Sequence, residues 1–306
     1  MTEQYLVLDI GGTYIKYAII DGEAQFIMQD KFRADTSSEE AMLTSLHLLK
    51  EEVSEYDYDG VAVSMPGRID TKRGWAHTGG AFSWLSEYPA AEKYGAVFGK
   101  PCTIANDGKC AALAESWAGS LADVDSGCVI VLGTGIGGGI VLNNKVWMGC
   151  SGGAGELSWL GANFDGLRDL EAFPHHMADV WCGRISSATI TGKFAKAKGS
   201  SKPSGVVLFD AYEACDPDAV AIIEEYAVQA AAGIFSLQCV LDLPRYAIGG
   251  GISARPEATS VIRDKLNEIY DTKRGIPFSR PEVVTCKFGN EANLIGALAF
   301  HLQNAD

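Results

Sequence analysis

The sequence predicts an α/β chain built as two related halves. Three observations carry that expectation. An apolar strand runs into a glycine turn three times, after Asp9 at Gly11-Gly12, from Gly133 to Gly139, and at Gly249-Gly250-Gly251. Stretches with helical apolar spacing lie between these turns, so strands alternate with helices. With 306 residues and 47% hydrophobic content, the chain is long and apolar enough for one large core or two medium ones.

The elements follow in order. Residues 5–33 read as two or three strands, YLVLDI and YIKYAIID flanking Gly11-Gly12, with a hairpin turn at Asp21-Gly22. Residues 38–56 read as an amphipathic helix, opened by a capping box of Ser37 with Glu40 and carrying Leu43, Leu46, Leu49 and Val53 on one face. VAVSMPG (61–67) is a strand stopped by Pro-Gly, and CTIAND (102–107) is a strand that runs straight into a helix start. In the second glycine stretch, 128–149, Asn143-Asn144 turns a hairpin. A long helix at 217–241 begins with Asp216 and Pro217 and has an apolar face through Val220, Ile223, Ala227, Ile234 and Val240 or Leu241. YAIGGGIS (246–253) is the third strand-to-glycine turn, VVTCKF a further strand, and EANLIGALAFHL a closing helix. The expected division is a first domain of residues 1–118, completed by the helix at 291–306, and a second domain of residues 119–290.

Charge and cysteine usage exclude several classes. A net charge of −14 with no Lys/Arg cluster argues against nucleic acid. MTEQYLVLDI lacks the basic and apolar regions of a signal peptide, and no run approaches 18 apolar residues, so no membrane span is expected. The eight cysteines are scattered and none forms C-x-x-C. Several, Cys128 and Cys239 among them, sit in apolar contexts, which reads as reduced core thiols in a cytoplasmic protein.

The motifs point to phosphate chemistry. After Asp9 the glycines Gly11 and Gly12 allow backbone N–H groups to approach an anion, Thr13 adds a hydroxyl, and Lys16 lies in the next strand. A carboxylate at Asp9 would repel a phosphate unless a cation stands between them, and Mg²⁺ held through water meets that need. Gly133, Thr134, Gly135 and Gly137 open a run too glycine-rich for an ordinary strand. It is not a Walker A loop, because no G-K-[ST] follows, nor a dinucleotide fingerprint, because a strand rather than a helix comes next. Gly250 and Gly251 make a flat strand end that can admit a base or a sugar edge. Asn106-Asp107 sits where a strand opens a helix. Asp107 there can be the helix N-cap or, facing the same cleft as Asp9, a proton acceptor for a hydroxyl. Glu156, set among small residues in GGAGELSW, can be a bidentate acceptor for vicinal sugar hydroxyls or a solvated loop carboxylate.

Taken together, DIGGTYIKYAII, PGRID, ANDGKCAALAE, VLGTGIGGGI, GGAGELS, AIGGGIS and NEANLIGAL resemble the ROK family of sugar kinases and repressors, in the right order from about residue 6 to 298. The resemblance implies the actin-like ATPase (ribonuclease H-like) fold, two α/β domains with a cleft between them. It implies transfer of phosphate from ATP, with Mg²⁺, to the 6-hydroxyl of a hexose or hexose derivative, by a homodimer. Asp9, Gly11, Gly12, Thr13 and Lys16 match the family's first phosphate motif, Gly133 to Gly137 the second, and Gly250 and Gly251 the adenosine motif. Asp107 matches the base, and Asn106 and Glu156 match residues that hold sugar hydroxyls. The 70–85 segment should line the sugar pocket, with Gly80 allowing close approach and Trp75, Phe82 and Trp84 either stacking on the ring or packing in the core.

One departure stands out. Many family members follow Gly-Glu with a glycine and a histidine and carry a later cysteine cluster, which together bind zinc. Here Ser158 and Trp159 occupy those positions, and the later region holds only Cys182. A lone thiol cannot supply a four-ligand site, so no structural zinc is expected. The chain is similar in this to a zinc-less subgroup that includes β-glucoside and N-acetylmannosamine kinases. The rival expectation is a non-catalytic sugar sensor. The repressors carry a helix-turn-helix ahead of the Asp-Gly-Gly motif, and only eight residues precede Asp9 here.

Overall fold

A computed structural model describes residues 3–12, 14–80, 82–163 and 177–304. The chain divides into two compact units, one of Met1–Trp117, Lys145–Ala154 and Glu291–Asp306, the other of Ala118–Asn144 and Gly155–Asn290. The sequence reading put Lys145–Ala154 with the second half, whereas it clusters with the first unit.

The first unit opens with β1 (Gln4–Ile10), β2 (Tyr14–Asp21) and β3 (Phe26–Arg33), then α1 (Glu39–Glu52) and β4 (Gly60–Met65). Short strands β5 (Ile69–Asp70), β6 (Trp75–Thr78) and β7 (Ser86–Tyr88) form their own antiparallel sheet. After α2 (Ala90–Phe98) come β8 (Cys102–Asn106) and α3 (Asp107–Ala118). The main sheet has the order β3-β2-β1-β4-β8, antiparallel through the hairpins and parallel from β1 to β4 to β8. Its parallel strands are apolar almost throughout because both faces are covered. Leu6, Leu8 and Ile10 face one core with Met42, Leu46, Leu49 and Tyr94, while Tyr5 and Val7 face another with Leu113, Leu294 and Leu298. The α1 cap is Ser38, whose hydroxyl accepts from the Ala41 N–H, and not Ser37, which instead donates to Asp35. Met42 joins Leu46, Leu49 and Val53 on the buried face, with Leu43 only partly buried.

In the second unit β9 (Gly127–Leu132) and β10 (Ile136–Leu142) form a hairpin, and the Asn143–Asn144 turn, both residues at positive φ, leads to β11 (Lys145–Val146). Then come α4 (Cys182–Ile185), α5 (Ser187–Ala197), α6 (Gly205–Glu213) and α7 (Pro217–Leu241), followed by β12 (Arg245–Gly249), α8 (Pro256–Thr272) and β13 (Glu282–Thr285). The strands β10-β9-β12-β13 lie in that order, parallel from β9 to β12 to β13. Asp216 caps α7, accepting from the Asp218 and Ala219 N–H groups, with Pro217 in the first turn. This helix is long and apolar enough by composition to cross a bilayer. Its buried residues, Ile223, Tyr226, Ala227, Ala230, Ala231 and Ile234 among them, pack in the unit's core, with Tyr226 donating its hydroxyl to the Ala258 carbonyl. Val240 is exposed while Leu241 packs against the core, so of the two expected ends of the apolar face it is Leu241 that lies on it, and Cys239 is exposed rather than a core thiol.

The last helix, α9 (Ala292–Asn304), returns to the first unit. Gly296 lets it touch α3, since a Cβ there would lie 1.7 Å from the Cys110 carbonyl oxygen.

Candidate active site

The C-terminal ends of the parallel strands in the first unit carry a row of polar residues. Asp9 on β1 is in register with Ser64 on β4, Ser64 with Ala105 on β8, and Met65 with Asn106. Asp107 follows Asn106 as the first residue of α3. The ends of parallel strands are where open α/β sheets bind ligands. With strands about 4.8 Å apart, β1 and β8 stand roughly 10 Å from each other.

Asp9 is held tightly. It is 8% exposed, and its Oδ1 accepts from the Asn293 Nδ2 at 3.0 Å and the Ser64 hydroxyl at 3.3 Å. Lys16, opposite Asp9 in the β1–β2 register, brings its Nζ to 3.3 Å from Oδ2. Burying a carboxylate costs free energy, which such hydrogen-bond and charge partners offset. Ser64 and Asn293 had no assigned role in the sequence reading. A lone serine in the buried strand GVAVSM was the available signal for the first. Gly11 closes the turn by donating its N–H to the Tyr14 carbonyl, and the Thr36 hydroxyl donates to the Gly12 carbonyl at 3.4 Å. Thr13, the remaining residue of this motif, lies outside the described residues.

Asn106 and Asp107 divide two tasks. The Asn106 Oδ1 accepts from the Lys109 N–H, which makes Asn106 the helix cap, and its Nδ2 donates to the Gly67 carbonyl at 2.9 Å. The Asp107 Oδ1 accepts from the Gly108 N–H at 2.8 Å. The capping role that competed with catalysis for Asp107 is therefore filled by the residue before it. Cys110, one turn on, has its thiol pushed far up by burial, with Asp107 and Asp9 adding to the effect, so it stays protonated.

Gly80 sits at φ +58 against Pro66 and Gly67, so its glycine has a local cause. Phe82 is buried in the first unit's core, and Trp84 packs on that core while donating its Nε1–H to the Thr36 carbonyl. Trp75 lies half-buried under the Arg73 guanidinium, 4.2 Å from the ring centre.

In the second unit Gly133, Thr134 and Gly135 form the tip of the β9–β10 hairpin, where the Gly133 N–H donates to the Gly135 carbonyl, and Gly137 lies in β10 opposite Val131. Gly138 is required by packing, since a Cβ would sit 2.3 Å from the Val129 carbonyl oxygen. The same test finds nothing closer than 3.9 Å at Gly133 and only ordinary contacts at Gly135. Ser158 anchors this tip: its hydroxyl accepts from the Ile136 N–H and donates to the Ile136 carbonyl, at 3.0 and 2.9 Å. Glu156 is exposed, two residues before it. Gly250 is confined by φ +91 and by the Leu132 carbonyl, 2.3 Å from a Cβ, whereas a Cβ on Gly251 would meet nothing within 4 Å. Glycines without a packing cause leave backbone open to a ligand. Cys182 is buried in this unit's core.

Known proteins with the same architecture are informative at this point. The ROK family model matches residues 5–304. The β-glucoside kinase of Listeria innocua serovar 6a is 30% identical over 296 residues, 96% of this chain and 96% of that protein. The solved structure of the Lmo2764 protein from Listeria monocytogenes is 27% identical, with a TM-score of 0.85 over 99% of this chain and 100% of that one. A ROK family glucokinase from Streptomyces griseus, solved with glucose and AMPPNP, shares the fold at a TM-score of 0.76 and 24% identity, over 98% of this chain and 100% of that one. The strand order, the acidic row at the strand ends and a family match that runs almost from end to end agree: this chain has the actin-like ATPase fold and belongs to the ROK family.

Proposed function

We propose that this protein is an ATP-dependent sugar kinase that phosphorylates the 6-hydroxyl of a hexose or hexose derivative, within a class that spans glucose, N-acetylmannosamine and β-glucosides. The observation that carries the reading is the division of labour at the start of α3. Asn106 caps the helix and fixes the backbone, and Asp107 presents a carboxylate at the strand ends, beside the row that holds Asp9. A sugar-sensing protein without catalysis has no need of that carboxylate, and the β-glucoside kinase relative favours the enzyme.

A sugar hydroxyl is a poor nucleophile at neutral pH. Asp107 accepts its proton as the new P–O bond forms, a contribution of about 10²- to 10⁴-fold. Asn106 and Glu156 orient the sugar, which matters because phosphoryl transfer has a loose transition state and depends on alignment. By the family resemblance, Gly11, Gly12, Thr13 and Lys16, and likewise Gly133, Thr134, Gly135 and Gly137, serve as phosphate-binding residues, through backbone N–H groups, the Thr13 hydroxyl and the Lys16 ammonium. Gly250 and Gly251 leave room for the adenosine. The fit of Mg²⁺ follows from the donor set of Asp9. Both of its oxygens already carry partners, so Asp9 suits a hydrated cation held through water, and Lys16 shares its charge. Bound there, Mg²⁺ neutralises phosphate charge.

The homodimeric state rests on the family resemblance, and eight free thiols support a cytoplasmic location. An ADP-release assay against a panel of hexoses and disaccharides, with Asp107→Asn as the blank, tests the proposal. Sugar-dependent ADP release that Asp107→Asn abolishes is the expected result; no release with any sugar overturns it.

A further inference from the structure

At the start of α8 stands a residue of the wrong kind for its place. Arg255 is the N-cap of that helix, and its side chain makes no capping hydrogen bond. N-cap positions favour Ser, Thr, Asp and Asn, whose oxygens accept from free helix amides, and the positive end of the helix dipole disfavours a cation. A sequence that gives up both terms at one position is answering another demand.

The contacts of the side chain show what that demand is. The Arg255 Nη1 donates to the Asp210 Oδ1 at 2.9 Å and its Nη2 to the Glu213 Oε1 at 2.8 Å, both on α6. Its Nε lies 3.5 Å from the Glu257 Oε2, an atom that is buried and makes no hydrogen bond among the described residues. Asp210 and Glu213 are three residues apart, so one face of α6 presents both. One guanidinium thus serves three carboxylates through its three nitrogens, a fork that a lysine ammonium does not reproduce. All four residues belong to the second unit.

Four residues before Arg255 is Gly251, where a Cβ would meet nothing within 4 Å. The path between them is stiff. The Gly250 carbonyl accepts from the Ser253 N–H at 3.0 Å and from the Ser253 hydroxyl at 2.8 Å, and the Arg255 N–H donates to the Ile252 carbonyl at 3.1 Å. A pull on Arg255 is therefore carried to the Gly250–Gly251 backbone. Leu208 and Phe209 seat α6 in the unit's core, so the guanidinium ties the glycine turn to a fixed body. Without it, three carboxylates would lose their shared cation close to a turn that receives a polyanion on the kinase reading.

We propose that Arg255 is a positioning residue for ATP: by joining the Gly250–Gly251 turn to α6, it holds that turn where the adenosine binds. The inference rests on the sugar-kinase reading, which gives these glycines to the adenosine, and adds a residue that acts through them.

The test measures ADP release by the full chain, varying ATP at saturating sugar and sugar at saturating ATP, together with calorimetric titration of ADP. Arg255→Ala raises the KM for ATP and the Kd for ADP by about tenfold, the order by which residues away from a ligand shift its affinity. It leaves kcat and the KM for sugar within about twofold. Arg255→Lys, which keeps the charge and loses the fork, behaves as Arg255→Ala does. The double variant Asp210→Ala, Glu213→Ala keeps the arginine and replaces two exposed residues by a good helix former. It shows the same rise in KM for ATP, even if Arg255→Ala folds poorly. An unchanged KM for ATP in the double variant, an equal rise in the KM for sugar, or a wild-type KM for ATP in Arg255→Lys refutes the positioning role, while sugar turnover keeps the kinase reading in place. If the wild type binds ADP but phosphorylates no sugar, the kinase reading falls and the titration decides: weaker ADP binding by the variants upholds the role of Arg255, and equal binding overturns it. A wild type that binds no ADP sinks both.

Discussion

Asn106 and Asp107 are adjacent, yet the structure predicts that replacing them costs the fold different amounts. Asn106→Ala removes a helix cap and a hydrogen bond to a carbonyl. The cap accounts for about 1 kcal/mol, and leaving the Gly67 carbonyl without that donor for about another 1 kcal/mol. A loss of about 2 kcal/mol in a domain of this size lowers Tm by roughly 4–8 °C. Asp107→Asn keeps the side-chain oxygen near the Gly108 N–H and removes a charge at the helix N-terminus, about 0.3–1 kcal/mol. Its cost is in turnover, a fall in kcat of about 10²- to 10⁴-fold. Thermal melting of both variants, with ADP release measured on the same preparations, separates the two. The reasoning is refuted if Asp107→Asn melts as early as Asn106→Ala and still turns over sugar near the wild-type rate.

Two glycines at the end of β12 should also part company. Gly250→Ala, at φ +91 and facing the Leu132 carbonyl, destabilises by more than about 2 kcal/mol, whereas Gly251→Ala leaves Tm unchanged and raises the KM for ATP; equal Tm losses would count against a ligand role for Gly251. Burial holds the pKa of His301 below its ordinary 6.5, where it packs on Gly60 and meets the Thr103 hydroxyl at 2.9 Å. The unfolded chain therefore binds a proton there more readily than the folded one, and His301 stabilises above about pH 6.5 and progressively less as the pH falls below it. Urea midpoints between pH 7.5 and 5 should drop more for the wild type than for His301→Gln, and parallel curves would show that His301 takes no part. Iodoacetamide labelling followed by mass spectrometry should mark exposed Cys150, Cys215 and Cys239 first and leave Cys110 and Cys128, whose thiols burial pushes up, unmodified in the native protein.

Much of this molecule could be read from its residues because its signals are local. The strand that ends at Asp9, the turn after it and the Asp216-Pro217 start of α7 are each set by neighbours in the chain. What could not be read depends on partners far away. Asn293 reaches Asp9 from 284 positions on, and nothing in a helix start announces that contact. The identity of the cap at α3 turned on whether the Asn106 side chain faces back to Lys109, a choice between two adjacent residues that both cap well. Ser38 displaced Ser37 at α1 for a related reason, because Asp35 engages Ser37. Glycine counting marked Gly138 and Gly133 alike, and only the packing of Val129 and Leu157 against the first tells structure from function. The apolar surroundings of Cys239 in the chain gave no hint that its side of α7 faces outward.

The bond between Asn293 and Asp9 has a consequence for how the protein is made. At 5–20 residues per second, a ribosome that has delivered β1 needs roughly 15–60 s more before the amide that steadies its acid exists. During that interval the strands of the first unit lack α9, one cover of their sheet, and Leu294 and Leu298 cannot yet shield Tyr5 and Val7. The stretch from Gly155 to Asn290 meets its own partners sooner. The nascent chain thus matures in the reverse of its reading order, with the earliest segment finished last, and a holdase that binds apolar strands would find its longest opportunity at the amino-terminal sheet.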